Sequence, residues 1–273
     1  MELCAASISK LDAEPGSLAF LPDSLLQKVL YADLLPLCLE RLASIAGPGP
    51  RRMTLKSLSS AVGVDHRWAR YLRLCSIEEI DLSLCGSLDI DDAFMSKLLH
   101  FDEEERPPQI CSTLDTLSFR ECRGLTDHGL MYAALLPKLL DLQIPHAQVT
   151  SSGLCEAILG LPRLQSLSIA YCYNVGHLDF LQLLPELRVL NLSRSGGYSP
   201  ESLMCLEYLP GLKSLRMSQC HKLKDGALRH ILKLKSLTLL DLSGCERLTD
   251  SGDQPLPAPV PTSSDDLTLD SCV

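Results

Sequence analysis

The chain has 273 residues, 46% of them hydrophobic, and a formal net charge of -9. That length holds one large domain or two modest ones, and the acidic balance disfavours nucleic acid or an anionic membrane as the main partner. No apolar run reaches the roughly 18 residues that suggest a membrane span, and Met1-Glu2-Leu3-Cys4 lacks the basic start and apolar stretch of a secretory signal.

Residues 1–17 read as a tail and 18–72 as a small helical cap. Leu18 to Leu30 carries Pro22 near its start and Asp23 in the first turn, as helix N-termini do. Leu34, Leu35, Cys38, Leu39, Leu42 and Ile45 form a helical stripe. Gly47-Pro48-Gly49-Pro50 breaks it. Leu55, Leu58, Val62, Trp68, Tyr71 and Leu72 mark a further helix leading into the next region.

From Ile77 onward one pattern recurs seven times: apolar residues at the first, fourth and sixth positions, and in five copies a cysteine at the ninth. The first residues are Ile77, Leu114, Leu139, Leu164, Leu187, Leu212 and Leu237, spaced by 37, 25, 25, 23, 25 and 25 residues. A period near 25 with this content is the signature of a leucine-rich repeat solenoid. The fourth and sixth residues share one side of a short strand, since side chains alternate. A unit this short has no core of its own, so the units stack, pair their strands in parallel and merge their leucines. At the ninth position the chain turns, and a small side chain with a donor satisfies backbone carbonyls there. Leu125-Thr126-Asp127 and Leu223-Lys224-Asp225 read as helix starts with Asp in a capping position. Pro137, Pro162, Pro185 and Pro210 each lie two residues before the next first leucine, ending the return and feeding a strand. The expected fold is therefore α/β: a right-handed solenoid over 73–252, strands concave and helices convex, with the helical cap at its N-terminal end.

The first spacing carries an acidic, proline-containing insertion around Phe101–Gln109, read as a solvated loop. Cys85, Cys122, Cys172, Cys220 and Cys245 occupy the ninth position and are expected to be buried, reduced thiols. The remaining cysteines show no paired metal-ligand spacing, so neither metal nor cofactor is expected. A reducing cytoplasmic or nuclear compartment fits that usage. The seventh unit is incomplete: residues 253–273, with prolines at 255, 257, 259 and 261, read as a disordered tail. The uncapped last strand reads as the mark of an alternatively terminated form of a longer repeat protein.

These repeats, with cysteine at position nine followed by Leu-Thr-Asp, resemble the cysteine-containing leucine-rich repeats typical of F-box proteins, the substrate-recognition subunits of cullin-type ubiquitin ligases. The resemblance covers about two thirds of the chain. Leu21, Pro22, Leu25, Leu26 and Val29 are similar to the first helix of an F-box, and the segment around Trp68 to the one that ends it. The spacing between them is about a dozen residues longer than the family's. Leu34, Cys38 and Leu42 resemble instead the box that docks Elongin-type adaptors, with Asp33 in place of the small residue or proline expected before it. Either resemblance implies that the N-terminal helices dock a cullin linker protein. The alternative is a leucine-rich repeat scaffold or regulator in which the helices only cap the stack.

Strand positions three, five and seven alternate with the core leucines and face the concave surface. Most are small and hydroxylic. Arg120, Gln143 and Arg216 at these positions, with His146, Tyr171, Arg194 and Gln219 at the eighth position on the rim, stand out as larger candidates for holding a protein target, arginine and tyrosine being the types that carry interface energy. The seven histidines are scattered with no recurrent nucleophile partner, and no phosphate loop, Gly-x-Ser-x-Gly or His-Glu-x-x-His motif occurs. A catalytic role is therefore not expected.

Overall fold

The computed structural model describes residues 51–54, 69, 73, 77–82, 91–100, 108–119, 121–195, 198–199 and 201–249. Its strands are β1 (Arg51–Thr54), β2 (Ile77–Leu82), β3 (Thr116–Phe119), β4 (Asp141–Gln143), β5 (Ser166–Ser168), β6 (Val189–Asn191), β7 (Ser214–Arg216) and β8 (Leu239–Asp241). They form one sheet in sequence order, every neighbouring pair parallel. The fourth-position residues align across it: Ile80, Leu117, Leu142, Leu167, Leu190, Leu215 and Leu240 are successive partners. Even the 23-residue spacing keeps Leu167 opposite Leu190, so the shortfall is absorbed on the return. In units two to six the first, fourth and sixth residues are buried at 0–1% exposure, one apolar column that no single unit could enclose.

β1 was not expected. It lies inside the span read as a helical cap and pairs with β2, Arg51 opposite Ile77 and Thr54 opposite Glu79. The rest of that cap except Ala69, the tail 1–17 and the proline-rich 253–273 lie outside the described residues. No helix among the described residues is long and apolar enough to cross a membrane.

The convex returns also differ from the expectation of a helix per unit. Among the described residues only the α-helices α1 (Asp92–Leu99) and α3 (Ser151–Ile158) reach two turns; α2 (Asp127–Leu130) and α4 (Leu228–Ile231) are single turns. Units four and five return through 3₁₀ segments, Asp179–Leu183 and Ser202–Tyr208. A 3₁₀ segment rises about 2.0 Å per residue against about 1.5 Å in an α-helix, so it spans the same return with fewer residues. The prolines end these segments as expected. Leu136, Leu184 and Leu209, each just before a proline, have ψ of 67, 62 and 66°, outside the helical well.

Two ladders pin one unit to the next. In the first, the ninth-position thiol donates to the sixth-position carbonyl of the preceding unit: Cys172 to Ile144 at 3.5 Å, Cys220 to Leu192 at 3.5 Å and Cys245 to Met217 at 3.1 Å. Burial pushes the Cys172 and Cys220 thiols up to about 12, so both stay protonated donors. Ser195, in the same place, donates instead to Leu192 of its own unit. We expect Cys172→Ser to change stability by less than about 1 kcal/mol, since a hydroxyl keeps the donor. Cys172→Leu should cost about 1–3 kcal/mol by overpacking. Urea unfolding of both variants checks the ordering, and a larger loss for serine would contradict it.

The second ladder corrects the helix starts. Thr126, not Asp127, caps α2, its hydroxyl accepting from His128 N–H. Asp127 reaches into the next unit and accepts from Thr150 N–H and Oγ1–H, both at 2.7 Å. Asp92 holds Thr126 in the same way, through N–H at 2.8 Å and Oγ1–H at 2.6 Å, and Asp225 holds Thr249 at 2.8 and 2.7 Å. The Thr249 bonds keep the Asp225 carboxyl below its ordinary pKa. A glycine three residues after the threonine makes room for this carboxylate: a methyl on Gly129 would lie 2.3 Å from Asp92 Oδ1, and one on Gly153 2.0 Å from Asp127 Oδ1.

Candidate functional site

The open face of the sheet is built from the residues that alternate with the buried leucines. Its third-position row runs Thr116, Asp141, Ser166, Val189, Ser214 and Leu239; its fifth-position row runs Ser118, Gln143, Ser168, Asn191, Arg216 and Asp241. Ten of these twelve residues are polar, five of them hydroxylic rather than most, and the floor is not evenly open. Ser118 and Ala170 are covered, at 4% and 6% exposure. Val189 and Leu239 are each 39% exposed and place two apolar side chains on an otherwise polar floor.

Fifth-position side chains shape the turn that follows. Asn191 Oδ1 accepts Ser193 N–H at 3.0 Å, and Asp241 Oδ1 accepts Ser243 N–H at 3.0 Å and Oγ–H at 2.7 Å. These Asx contacts satisfy the backbone where it leaves the strand. Gln143 instead donates through Nε2 to Asp141 Oδ2 at 3.0 Å, so its amide is engaged within the face. Arg216 is exposed between Asn191 and Asp241.

At the end of the strands the eighth-position residues form a rim. His146, Tyr171, Arg194 and Gln219 have φ of 64, 62, 54 and 53°, and Gly244 has φ of 68°. Five successive units thus turn through the left-handed region, which costs an L-residue roughly 1–2 kcal/mol. The shared geometry brings three of the predicted side chains together. His146 and Tyr171 stack with ring centroids 4.2 Å apart and planes 16° apart, and the Arg194 guanidinium lies 5.3 Å from the Tyr171 centroid. Burial holds the His146 imidazole below its ordinary pKa, although Glu121 nearby favours the charged form. It is therefore neutral at pH 7, and the cation of the column is Arg194. Glu121 begins the rim in unit two, paired with Arg123 at 3.1 Å.

This changes what the rim residues do. Tyr171 is engaged by His146 and Arg194, so it acts as part of a preassembled ridge rather than as a free stacking platform. Gln219→Gly is expected to raise stability by up to about 1 kcal/mol, the relief of left-handed strain being reduced by the entropy of glycine in the unfolded chain. A fall in thermal midpoint for that variant would show that the Gln219 side chain itself holds the turn. The left-handed column had no glycine signal in the sequence except Gly244.

Arg120, the remaining sheet-face candidate, lies outside the described residues, as do the docking candidates Leu21, Pro22, Leu25, Leu26, Val29, Leu34, Cys38, Leu42 and Trp68. Outside the face, His230 Nδ1 meets Glu207 Oε1 at 2.7 Å, and Lys233 Nζ meets the same oxygen at 2.8 Å on the convex side. The His177–Asp179 pair is exposed, at 3.1 Å.

No family model matches the chain, and no curated protein does. Among solved structures, an internalin (InlF) from Listeria monocytogenes is 22% identical, with 71% of this chain and 48% of that one covered and a TM-score of 0.49. An internalin C2 from the same organism is 19% identical, covering 78% and 77% respectively, with a TM-score of 0.51. The complex of Rad7 and Elc1 in yeast is 19% identical, covering 69% and 56%, with a TM-score of 0.53. The chain thus spans about half the length of the InlF and Rad7–Elc1 structures it matches. The likeness to internalin C2 and to the Rad7–Elc1 complex carries the fold alone and agrees with the strand order and buried ladder: the chain is an α/β leucine-rich repeat solenoid.

Proposed function

We propose that this chain is a non-catalytic protein-recognition module, the substrate-recognition subunit of a cullin-type ubiquitin ligase. The target protein lies on the open sheet face against the rim, and residues 18–72 dock the ligase through a linker protein. The observation that carries the recognition reading is the face itself. It is a register-locked run of mostly polar side chains from β3 to β8, edged by the His146–Tyr171–Arg194 ridge. Such a surface is rigid before binding, so little ordering entropy is lost when a partner seats on it. Val189 and Leu239 supply apolar anchors, and Arg194 and Arg216 supply exposed cations.

The ligase link is supported by the two box-like stretches, Leu21 to Val29 and Leu34 to Leu42. The yeast complex of Rad7 with Elc1 contains this fold within a two-protein assembly. Affinity capture at native expression tests the link. We expect a cullin and its linker to co-purify and to be lost on Leu21→Asp with Pro22→Ala if the F-box-like stretch docks. Loss on Leu34→Asp with Leu42→Asp would assign docking to the second stretch. Absence of any cullin would leave the scaffold reading.

A further inference from the structure

The last described unit is an unfinished rung. Leu237 and Leu240 are only half-buried, and so is Leu248, whereas their counterparts in units two to six are buried. Between units, backbone pairing runs forward in a fixed way. Sixth- and eighth-position N–H groups donate to the fifth- and seventh-position carbonyls of the next unit: Leu192 to Arg216, Arg194 to Ser218, Met217 to Asp241 and Gln219 to Ser243, at 2.7–2.9 Å. The same groups in the last unit are Leu242 N–H and Gly244 N–H, and neither meets a carbonyl among the described residues. The Leu242 carbonyl corresponds to the Leu192 and Met217 carbonyls that receive the next unit's thiol.

The chain beyond supplies a segment with the matching pattern. Ser264-Asp265-Asp266-Leu267-Thr268-Leu269-Asp270-Ser271-Cys272 places leucine, leucine and cysteine at the fourth, sixth and ninth positions. Ser264 stands where the other units have an apolar residue, so this rung lacks one core contact. From Cys245 to Leu267 is 22 residues, against 20 from Cys220 to Leu240 and 18 from Cys172 to Leu190, so the connection is long enough. Prolines 255, 257, 259 and 261 bar an α-helix, but units four and five return without one.

We propose that residues 264–272 of this chain dock on the free edge of β8 as one more parallel strand. Leu267 and Leu269 cover Leu240 and Leu242, the Cys272 thiol donates to the Leu242 carbonyl, and Leu242 and Gly244 N–H donate to the Thr268 and Asp270 carbonyls. This completes the stack with the chain's own residues and hides an edge that would otherwise invite strand addition by another chain. It stands independently of the ligase reading.

Amide hydrogen exchange followed by NMR on the full chain tests it. We expect Leu242 and Gly244 amides to be protected about a hundredfold or more. That protection should disappear in Leu267→Asp with Leu269→Asp while Leu192 and Arg194 stay protected. Cys272→Ser should retain it, as the hydroxyl keeps a donor. Unprotected amides in the native chain, or protection indifferent to the double substitution, would overturn the proposal. Protection that rises with protein concentration would also overturn it, assigning the edge to a second copy.

Discussion

Phe119→Ala is expected to cost about 3–5 kcal/mol of folding free energy, the usual loss on truncating a fully buried aromatic. Phe119 holds the sixth position of the second unit, where the neighbouring units carry leucine or isoleucine, and it is 1% exposed. Its ring meets Phe94 of α1 edge-on, centroids 6.2 Å apart and planes at 90°. The larger side chain therefore joins the strand of one unit to the return of the unit before it. A double-mutant cycle with Phe94→Ala should give a coupling of about 0.5–1.5 kcal/mol for the ring pair. Because each repeat touches only its neighbours, the damage should stay local. Amides of β3 and β4 should lose exchange protection first and those of β6 and β7 last. A loss below about 1 kcal/mol in urea unfolding would mean that the site collapses around the cavity.

Gly160→Ala is expected to cost about 1–3 kcal/mol or more, because the added methyl meets backbone rather than a side chain that can swing away. It would lie 2.2 Å from the Ala134 carbonyl oxygen and 2.5 Å from Ala134 Cα, so two neighbouring returns would have to separate. Gly176→Ala is the matched control. A methyl there meets nothing within 4 Å and its φ is not left-handed. It should be neutral or stabilising by about 0.4–1 kcal/mol, through the unfolded chain alone. Equal unfolding midpoints for the two variants would contradict the close packing of the returns.

The buried column was legible because it depends on two short-range rules, the alternation of a strand and the recurrence of the unit. Leu117, Leu142, Leu167, Leu190 and Leu215 follow from spacing alone. What spacing could not reveal lies between units. Asp127 and Asp225 look like caps of their own helices, yet they bind Thr150 and Thr249, 23 and 24 residues away. Those partners are set by stacking, which a local capping rule does not see. β1 escaped notice because Arg51-Arg52-Met53-Thr54 follows a glycine–proline break and lacks a first leucine.

The large residues of the candidate face can be picked out by type, but not their arrangement. His146, Tyr171, Arg194 and Gln219 were singled out as large residues on a small-residue surface. Their left-handed backbone, and the stack it creates, are set by the repeated turn rather than by the side chains, of which only His146 is a type enriched in that region. Gln143 was grouped with them by size, but its amide is engaged with Asp141.

If a partner protein sits on the open sheet face, crowding that face should exclude it. Ser166→Arg with Ser168→Arg places two long side chains on the floor at β5, where both serines are only partly buried. Glu186→Arg with Gln182→Arg does the same on the exposed return of the same unit. In quantitative affinity capture, the floor pair should lose the proteins held by the native chain at least about tenfold, and the convex pair should retain them, with thermal midpoints of both close to native. Equal capture by both variants, or loss on the convex side alone, would contradict the account.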